Sequence, residues 1–383
     1  MLKKPKNRVQ RFALKPFFVY NENNNGGKLM HYPKWAFGPF IKDEKPILTP
    51  DAGLTFFCPV SRKEVKWQAT NVYNPAFAEK DGVLHMFYRA DDTARPFLDT
   101  WGNPMVTCRI GHAVSEDGVH FENCPEPVLY PDEDEFKCYE WDGGCQDLHI
   151  TESADGTFYM NYTAWVGSND KTRDNPALNP PFIDVLMTAS STDLIHWKKH
   201  GPAFAAERRN HTRSGVVVSK LVGDRLIAEK INGKYVMYAA HNGWMATSDD
   251  LVHWEPVPDG KGGQRSLFPD EDFAKVPYAN ASCEAGAAAI LTDDGIVYFF
   301  NAAAKSDNPS AVWSQGQALI DKNDLFTVLD VLKEPHLSPE FDWECKGHVP
   351  TPCLVCNGIT HFKGKWAMYY GASDHVIGRA VEK

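Results

Sequence analysis

The sequence predicts an all-β fold, a five-bladed β-propeller whose last blade is closed by an N-terminal strand. Three observations predict it: a hairpin pattern repeated along the chain, a polar turn that follows it, and an incomplete final copy. The hairpins run from Phe77 to Ala90, His149 to Ala164, Ile227 to Ala240, Ala289 to Ala302 and Ile359 to Ala372. Within them an apolar run meets Asp81-Gly82, Asp155-Gly156, Asn232-Gly233, Asp294-Gly295 or Lys363-Gly364, and an aromatic-rich run follows. Asp-Gly and Asn-Gly between alternating runs are the strongest short hairpin signal, because both residues tolerate the positive φ of a tight turn. The closing alanines at 90, 164, 240, 302 and 372 are spaced by 74, 76, 62 and 70 residues, which is room for four strands and loops of variable length. Self-similarity at this scale overrides the length rule, which would split the chain into about two or three domains.

Taken in order, residues 1–40 are an N-terminal arm, through which copies of the chain could associate, and residues 41–383 form the propeller. After the first hairpin, Ala113-Val114-Ser115-Glu116-Asp117-Gly118-Val119-His120-Phe121 introduces the second recurring piece. It returns from Ala189 to Trp197 and from Ala246 to Trp254, and in degenerate form between Asp321 and Phe326. An outermost strand of the type Glu126-Pro127-Val128-Leu129-Tyr130-Pro131 comes next, echoed from Glu334 to Pro339. Proline suits such an edge, where a missing donor is tolerated. The fifth unit stops at Ile377 to Lys383, before any outermost strand, and Lys45-Pro46-Ile47-Leu48-Thr49-Pro50 has the form of the missing piece. A strand from the N-terminal end would complete the last blade and cover an exposed edge.

Composition narrows the function. Hydrophobic residues at 43% and aromatics at 12% are ample for a packed core. A net charge of −10 with no Lys/Arg block argues against nucleic acid and anionic membrane as partners. Met1 to Lys6 is basic but no apolar stretch follows, and no run approaches the ~18 apolar residues of a membrane span. The nine cysteines lack a disulfide-like layout, so a cytoplasmic protein is expected. Cys353-x-x-Cys356 sits inside an apolar alternation and reads as two strand cysteines in preference to zinc ligands. No metal or cofactor is expected.

In such a fold the leading ends of the innermost strands and the trailing ends of the second strands open on one face, around a central funnel. The leading positions are Asn74, Asp147, Glu229 or Lys230, Glu284 and His348; the trailing ones are Arg89, Asp91, Asp92, Trp165, His241, Asn301 and Asp374. Insertions at Thr93 to Val106, Val166 to Asp184 and Ala304 to Gln315 belong to the same face. Carboxylates, amides, an Arg, a His and a Trp make the composition of a sugar site. Two opposed carboxylates suit glycoside hydrolysis, an inverting enzyme needing them about 6.5–9.5 Å apart to admit water. Asp147, in Trp141-Asp142-Gly143-Gly144-Cys145-Gln146-Asp147, is the candidate acid and Glu284, in Ser282-Cys283-Glu284-Ala285-Gly286, the candidate base. The alternative for Glu284 is an inter-blade ion pair, and for His241 a structural hydrogen bond. Asp91 and Asp92 read as sugar-hydroxyl acceptors before a metal pair, since no third acidic ligand is close in sequence.

With these residues in place the chain resembles glycoside hydrolase family 130, the mannoside phosphorylases and β-mannosidases on five-bladed propellers. Asn74-Pro75-Ala76, Tyr88-Arg89-Ala90-Asp91-Asp92 and Cys108-Arg109-Ile110-Gly111 carry the likeness in the first blade. Glu140 to Asp147 carries it in the second and Lys230 to Tyr235 in the third, over a span from about residue 40 to the C-terminus. The resemblance implies that Asp147 is the acid, working through the sugar's 3-hydroxyl, and that Asn74, Arg89, Asp91, Asp92 and Arg109 hold the terminal sugar. The family's acid motif continues Glu-Asp-Pro-Arg, whereas here it reads Gln146-Asp147-Leu148-His149. A second phosphate-gripping arginine is replaced in the neighbourhood of Asp184, which leaves Arg213, Lys230 and His241 as partial substitutes. Glu284 in Glu-Ala-Gly, and Gly316 to Leu319, resemble the hydrolytic members. The sequence therefore leads to an inverting, exo-acting hydrolase of β-mannosides or related oligosaccharides. Its rivals are a β-mannoside phosphorylase and a non-catalytic carbohydrate-binding propeller, and Gln146 and His149 leave the identity of the sugar open.

Overall fold

A computed structural model describes residues 32–96, 98, 104–166, 184–206, 212–239, 241–261, 263–268, 276–305, 312–349 and 351–383. The chain divides into two compact units, Met1–His31 and Tyr32–Lys383; the first, and with it most of the N-terminal arm, lies outside the described residues. The second is all-β. Helix among the described residues is confined to Lys137–Glu140 and to 3₁₀ turns at Pro277–Ala279 and Asp342–Glu344. None of these helices is long and apolar enough to cross a membrane.

The strands form successive antiparallel meanders. The first comprises Asn71–Lys80, Val83–Asp91, Cys108–Ser115 and Glu122–Asn123. The second comprises Gly144–Glu152, Phe158–Trp165, Asp184–Ser191 and Lys198–Pro202. A later one comprises Ser282–Leu291, Ile296–Ala304, Val312–Ile320 and Val328–Val331. In the last, Phe40–Lys42 pairs with Val376–Glu382, beyond Lys365–Ala372 and Leu354–Phe362. The pairing strand lies just upstream of the proline-bounded segment that the sequence pointed to, which adds only the bridge Leu48 to Ile377. Two of the hairpin turns take the left-handed conformations that Asx-Gly favours: φ is 55° and 80° at Asp81-Gly82, and 51° and 85° at Asn232-Gly233.

The third unit departs from the repeat. The sequence pattern starts its inner strand near Ile227, whereas the structure starts it at Gly215–Val222. A second hairpin is inserted there: Arg225–Ala228 folds back on Ser219–Val222, which leaves only the Gly215–Val217 part of the inner strand to pair with Lys234–Ala239. Gly223-Asp224 is the turn that the repeat concealed. The inserted hairpin is held under the neighbouring sheets, Arg225 by Glu152 at 2.7 Å and Asp224 by His361 at 2.7 Å.

Two kinds of polar cluster recur, one at the surface and one buried. Ser115, Asp117 and His120 make one polar turn: the Asp117 carboxylate accepts from the amides of Val119 and His120 at 2.8 Å and pairs with the His120 ring at 2.7 Å. The same contacts recur at Ser191-Asp193-His196 and Ser248-Asp250-His253. Deeper in the second sheet, the buried Glu140 accepts from Tyr162 Oη at 2.7 Å and Lys199 Nζ at 2.6 Å. Glu344 repeats this in the last sheet, with Tyr370 Oη at 2.8 Å and Lys42 Nζ at 2.9 Å. Burial pushes the Glu140 carboxyl up to about 7 against the opposing pull of Lys199 and Tyr162. A hydroxyl and an ammonium at each carboxylate satisfy groups that would otherwise be costly to bury.

Candidate active site

The site forms where inner strands are broken in register. Pairing shifts between Tyr73 and Ala76, between Gln146 and His149, and between Cys356 and Gly358. Such bulges bend a strand and re-aim the side chain at the break. Asn74 and Asp147 occupy two of these breaks, both at φ 48°, a conformation that Asn and Asp tolerate better than other side chains. Their side chains meet: Asn74 Nδ2 donates to Asp147 Oδ1 at 2.8 Å.

Two guanidiniums complete the grip on Asp147. Arg213 Nη2 donates to Oδ2 at 2.6 Å, and Arg89 Nη1 lies 3.4 Å from Oδ1. Arg213 also faces Asp184 at 3.9 Å and Glu284 at 3.8 Å. Arg89 is 3.5 Å from Asp91 and lies over the Tyr73 ring. Asp91 is fully buried and accepts from Asn71 Nδ2 at 2.9 Å and Tyr73 Oη at 3.1 Å. Burial alone would raise the Asp147 carboxyl; Arg89, Arg213 and the Asn74 amide outweigh it and hold the group below the usual carboxylate range. Asp374 goes the other way. Withdrawal from water, reinforced by Asp147 and Asp91 and opposed by Arg89 and Arg213, pushes it up to about 7.

Asn74, Arg89, Asp91, Asp147, Glu284 and Asp374 are thus brought together, as the sequence expects of a funnel face. Others are not. Arg109 is the neighbour of Cys108, paired with Ala90 while Arg89 pairs with Ile110; adjacent positions face opposite ways, and Arg109 is buried beside Phe56. It holds Asp92 at 3.4 Å, and Asp92 also takes the Thr107 amide at 2.7 Å. Gln146 is buried against Cys108. Trp165 is buried with Met105, Val106 and Cys108, so it offers no open platform. Asn301 is saturated between sheets, bonded to Ala285, Gln315, Asn357 and the Cys356 amide. His241 sits exposed at the rim, bridged to Glu284 through the backbone.

Lys230 stands apart for a different reason. With the inner strand moved to Gly215–Val222, Lys230 pairs with Tyr235 next to the hairpin turn, at the end remote from the site, and its ammonium lies over the Tyr235 ring. Arg213, two residues before that strand, takes the leading position. His149 is buried below Asp147 and lines a partly open cavity of about 60 Å³ beside the inserted hairpin. Burial, partly offset by Asp147, lowers its imidazole to about 4. Among the described residues no group of three or more His, Cys, Asp or Glu is arranged to hold a metal ion.

Carboxylates bridged by guanidiniums and amides at breaks in the inner strands suit an enzyme that acts on glycosides. The chain belongs to glycoside hydrolase family 130: residues 54–383 match that family, described as beta-1,4-mannooligosaccharide phosphorylase. It is 30% identical to a 1,2-beta-oligomannan phosphorylase of Thermoanaerobacter sp. (strain X514), covering 88% of this chain and 95% of that one. A beta-1,2-mannobiose phosphorylase of the same organism is also 30% identical, covering 88% of this chain and 94% of its own. A solved structure from work on this family of mannoside phosphorylases, and on glycoside hydrolases in it that target β-1,2-mannosidic linkages in Candida mannan, is 33% identical. It superposes with a TM-score of 0.82 over 92% of this chain and 96% of that one.

These relatives overturn the hydrolase expectation, since the curated proteins that match nearly the whole chain are phosphorylases. By its position in the sequence Asp184 puts an acid where a phosphate-binding cation is expected. In the folded chain Asp184 faces Arg213, an arginine supplied from a different sheet.

Proposed function

We propose that the protein is an inverting phosphorylase of β-1,2-linked mannosides, built on a five-bladed propeller whose last blade is completed by Phe40–Lys42. The observation that carries the reading is Arg213, a guanidinium spanning Asp147, Asp184 and Glu284 at the mouth of the channel. With Arg89 it places two guanidiniums beside the acid, the donor group that suits phosphate oxygens, each shared in the free enzyme with neighbouring carboxylates. The names of the curated relatives support the same chemistry and the β-1,2 linkage.

Asn74, Arg89 and Asp91 hold the terminal mannose. Asp147, protonated once hydrogen phosphate takes over Arg213, delivers its proton, through the sugar's 3-hydroxyl as in the family, to the departing glycosidic oxygen as its bond to C1 breaks. An oxygen of hydrogen phosphate attacks C1 from the opposite face and forms the new C–O bond, so a β-mannoside yields α-mannose 1-phosphate. The proton left on the product phosphate replaces the one Asp147 gave up. Phosphorolysis needs no base to activate the nucleophile, so Glu284 serves as a counter-ion that positions Arg213. Retaining the bond energy as a sugar phosphate suits a cytoplasmic enzyme. The test is incubation with β-1,2-mannobiose with and without inorganic phosphate. Mannose 1-phosphate is expected, and only with phosphate present; release of free mannose alone in phosphate-free buffer overturns the proposal.

A further inference from the structure

His149 follows Asp147 by two residues in the same inner strand, on the side away from the mouth, and neither of its ring nitrogens has a hydrogen-bond partner among the described residues. It is 3% exposed. An unmet donor or acceptor at that depth costs about 1–3 kcal/mol, so water is the partner to expect. The cavity that His149 lines suits water. Ala76, Thr151, Ser219, Ala288 and Asn357, one from each inner strand, line it too, which puts it on the axis of the channel. From His149 to Glu152 is about 10 Å of strand. The volume of about 60 Å³ admits about four waters at ~15 Å³ each, and four at a spacing of ~2.8 Å span that length. Thr151, Ser219 and Asn357 offer hydrogen bonds on the way. At the far end Glu152 pairs with the exposed Arg225, and Asp224 with His361, both half-buried, at 2.7 Å in each case. There the cavity comes within reach of bulk water.

The reaction has a use for such a path. In phosphorolysis Asp147 takes up its proton once phosphate has drawn Arg213 away, and by then sugar and phosphate stand between it and the mouth. Hydrogen phosphate keeps its own proton through the attack and releases it to solvent with the product. A neutral imidazole donates from one ring nitrogen and accepts at the other. It can therefore take a proton from water on one side and pass one on at the other without holding the charge. Burial, which lowers the ring to about 4, keeps it neutral.

We infer that His149 and a file of water in this cavity load Asp147 with its proton from the far face of the channel, one entering there for each that the product releases. The inference rests on the phosphorylase reading for its turnover assay. Ala288→Leu fills the cavity from the Ser282–Leu291 strand without touching the acid, Ser219→Leu does so from another strand should the first variant not fold, and His149→Phe removes the ring nitrogens. In ¹⁵N-histidine-labelled protein without substrate, the His149 ring proton is identified by its loss in His149→Phe. It is expected to exchange with solvent about tenfold faster in the wild type than in the filled variant. With β-1,2-mannobiose and phosphate, the filled variant and His149→Phe are each expected to lose about tenfold in kcat, part of the roughly 10²–10⁴-fold that a positioned acid contributes. KM should stay unchanged, and the solvent deuterium isotope effect on kcat should rise as proton delivery becomes limiting. Exchange as slow in the wild type as in the filled variant, an unchanged kcat, or a loss of kcat with no rise in the isotope effect overturns the inference. If the wild type yields no mannose 1-phosphate, the phosphorylase reading has failed. The exchange rate needs no turnover and still decides the path: a slow wild-type rate overturns it.

Discussion

Asp374 offers a prediction whose sign can be worked through. Its folded-state carboxyl titrates at about 7, against about 3.9 in an unfolded chain. Between those pH values the folded protein keeps a proton that the unfolded chain releases. Stability therefore falls as pH rises through this window, and the penalty is complete above about pH 7. Roughly three pK units at about 1.4 kcal/mol each set an upper bound of about 4 kcal/mol; Asp374 is only partly buried, so screening by water brings the expected figure nearer ~2 kcal/mol. Asp374→Asn removes the charge and keeps the shape. The variant should be more stable than the wild type by about 2 kcal/mol at pH 8, with the difference vanishing toward pH 4. Denaturant unfolding at pH 4, 6 and 8 measures it. A variant less stable than the wild type at pH 8, or a difference independent of pH, would refute the argument that Asp147 and Asp91 crowd this carboxyl.

Three further outcomes are expected. Asp147→Asn should leave the secondary structure intact by circular dichroism and reduce turnover by roughly 10²–10⁴-fold; retention of near-full activity would remove Asp147 from the chemistry. Arg213→Gln should lower kcat/KM for phosphate by roughly 10- to 100-fold, the worth of one charge-assisted hydrogen bond, and an unchanged phosphate KM would show that the anion is gripped elsewhere. Lys42→Met leaves Glu344 buried with Tyr370 but without its ammonium, and should cost about 3–5 kcal/mol in urea unfolding; a loss under 1 kcal/mol would show that the ion pair does not secure the last sheet.

The hairpins were legible because their turns depend on local chemistry: Asp81-Gly82 and Asn232-Gly233 adopt the left-handed backbone that few other pairs accept. Asp147 was legible because it stands just beyond a Gly-Gly turn before an alternating strand. What the sequence hid is what arises between sheets. Arg213 is separated from Asp147 by 66 residues in the chain and meets it at 2.6 Å across the channel. The inserted hairpin at Gly223-Asp224 shifted the third unit by about a dozen residues, which placed Lys230 in the site on paper and at its far end in the fold. Arg109 looked like a sugar ligand by resemblance to the family, and Asn301 by its residue type at a strand end. Which face of a strand a side chain takes, and whether its hydrogen bonds are already spent, follow from register and neighbours.

The recurrence of Glu140 in Glu344 also governs when the molecule can become whole during synthesis. In the second sheet the carboxylate, hydroxyl and ammonium come from one stretch, Glu140 to Lys199, and can assemble as soon as that stretch leaves the ribosome. In the last sheet the ammonium is Lys42, while Glu344 and Tyr370 lie some three hundred residues onward. Phe40 faces Glu382, a separation of 342 residues. At about 5–20 residues per second, Lys42 waits on the order of 20–70 s for its partners. Through that interval the strand it sits on is an unpaired edge, the state most open to pairing with another chain. The ion pair that secures the finished protein is therefore among the last contacts a nascent chain can make.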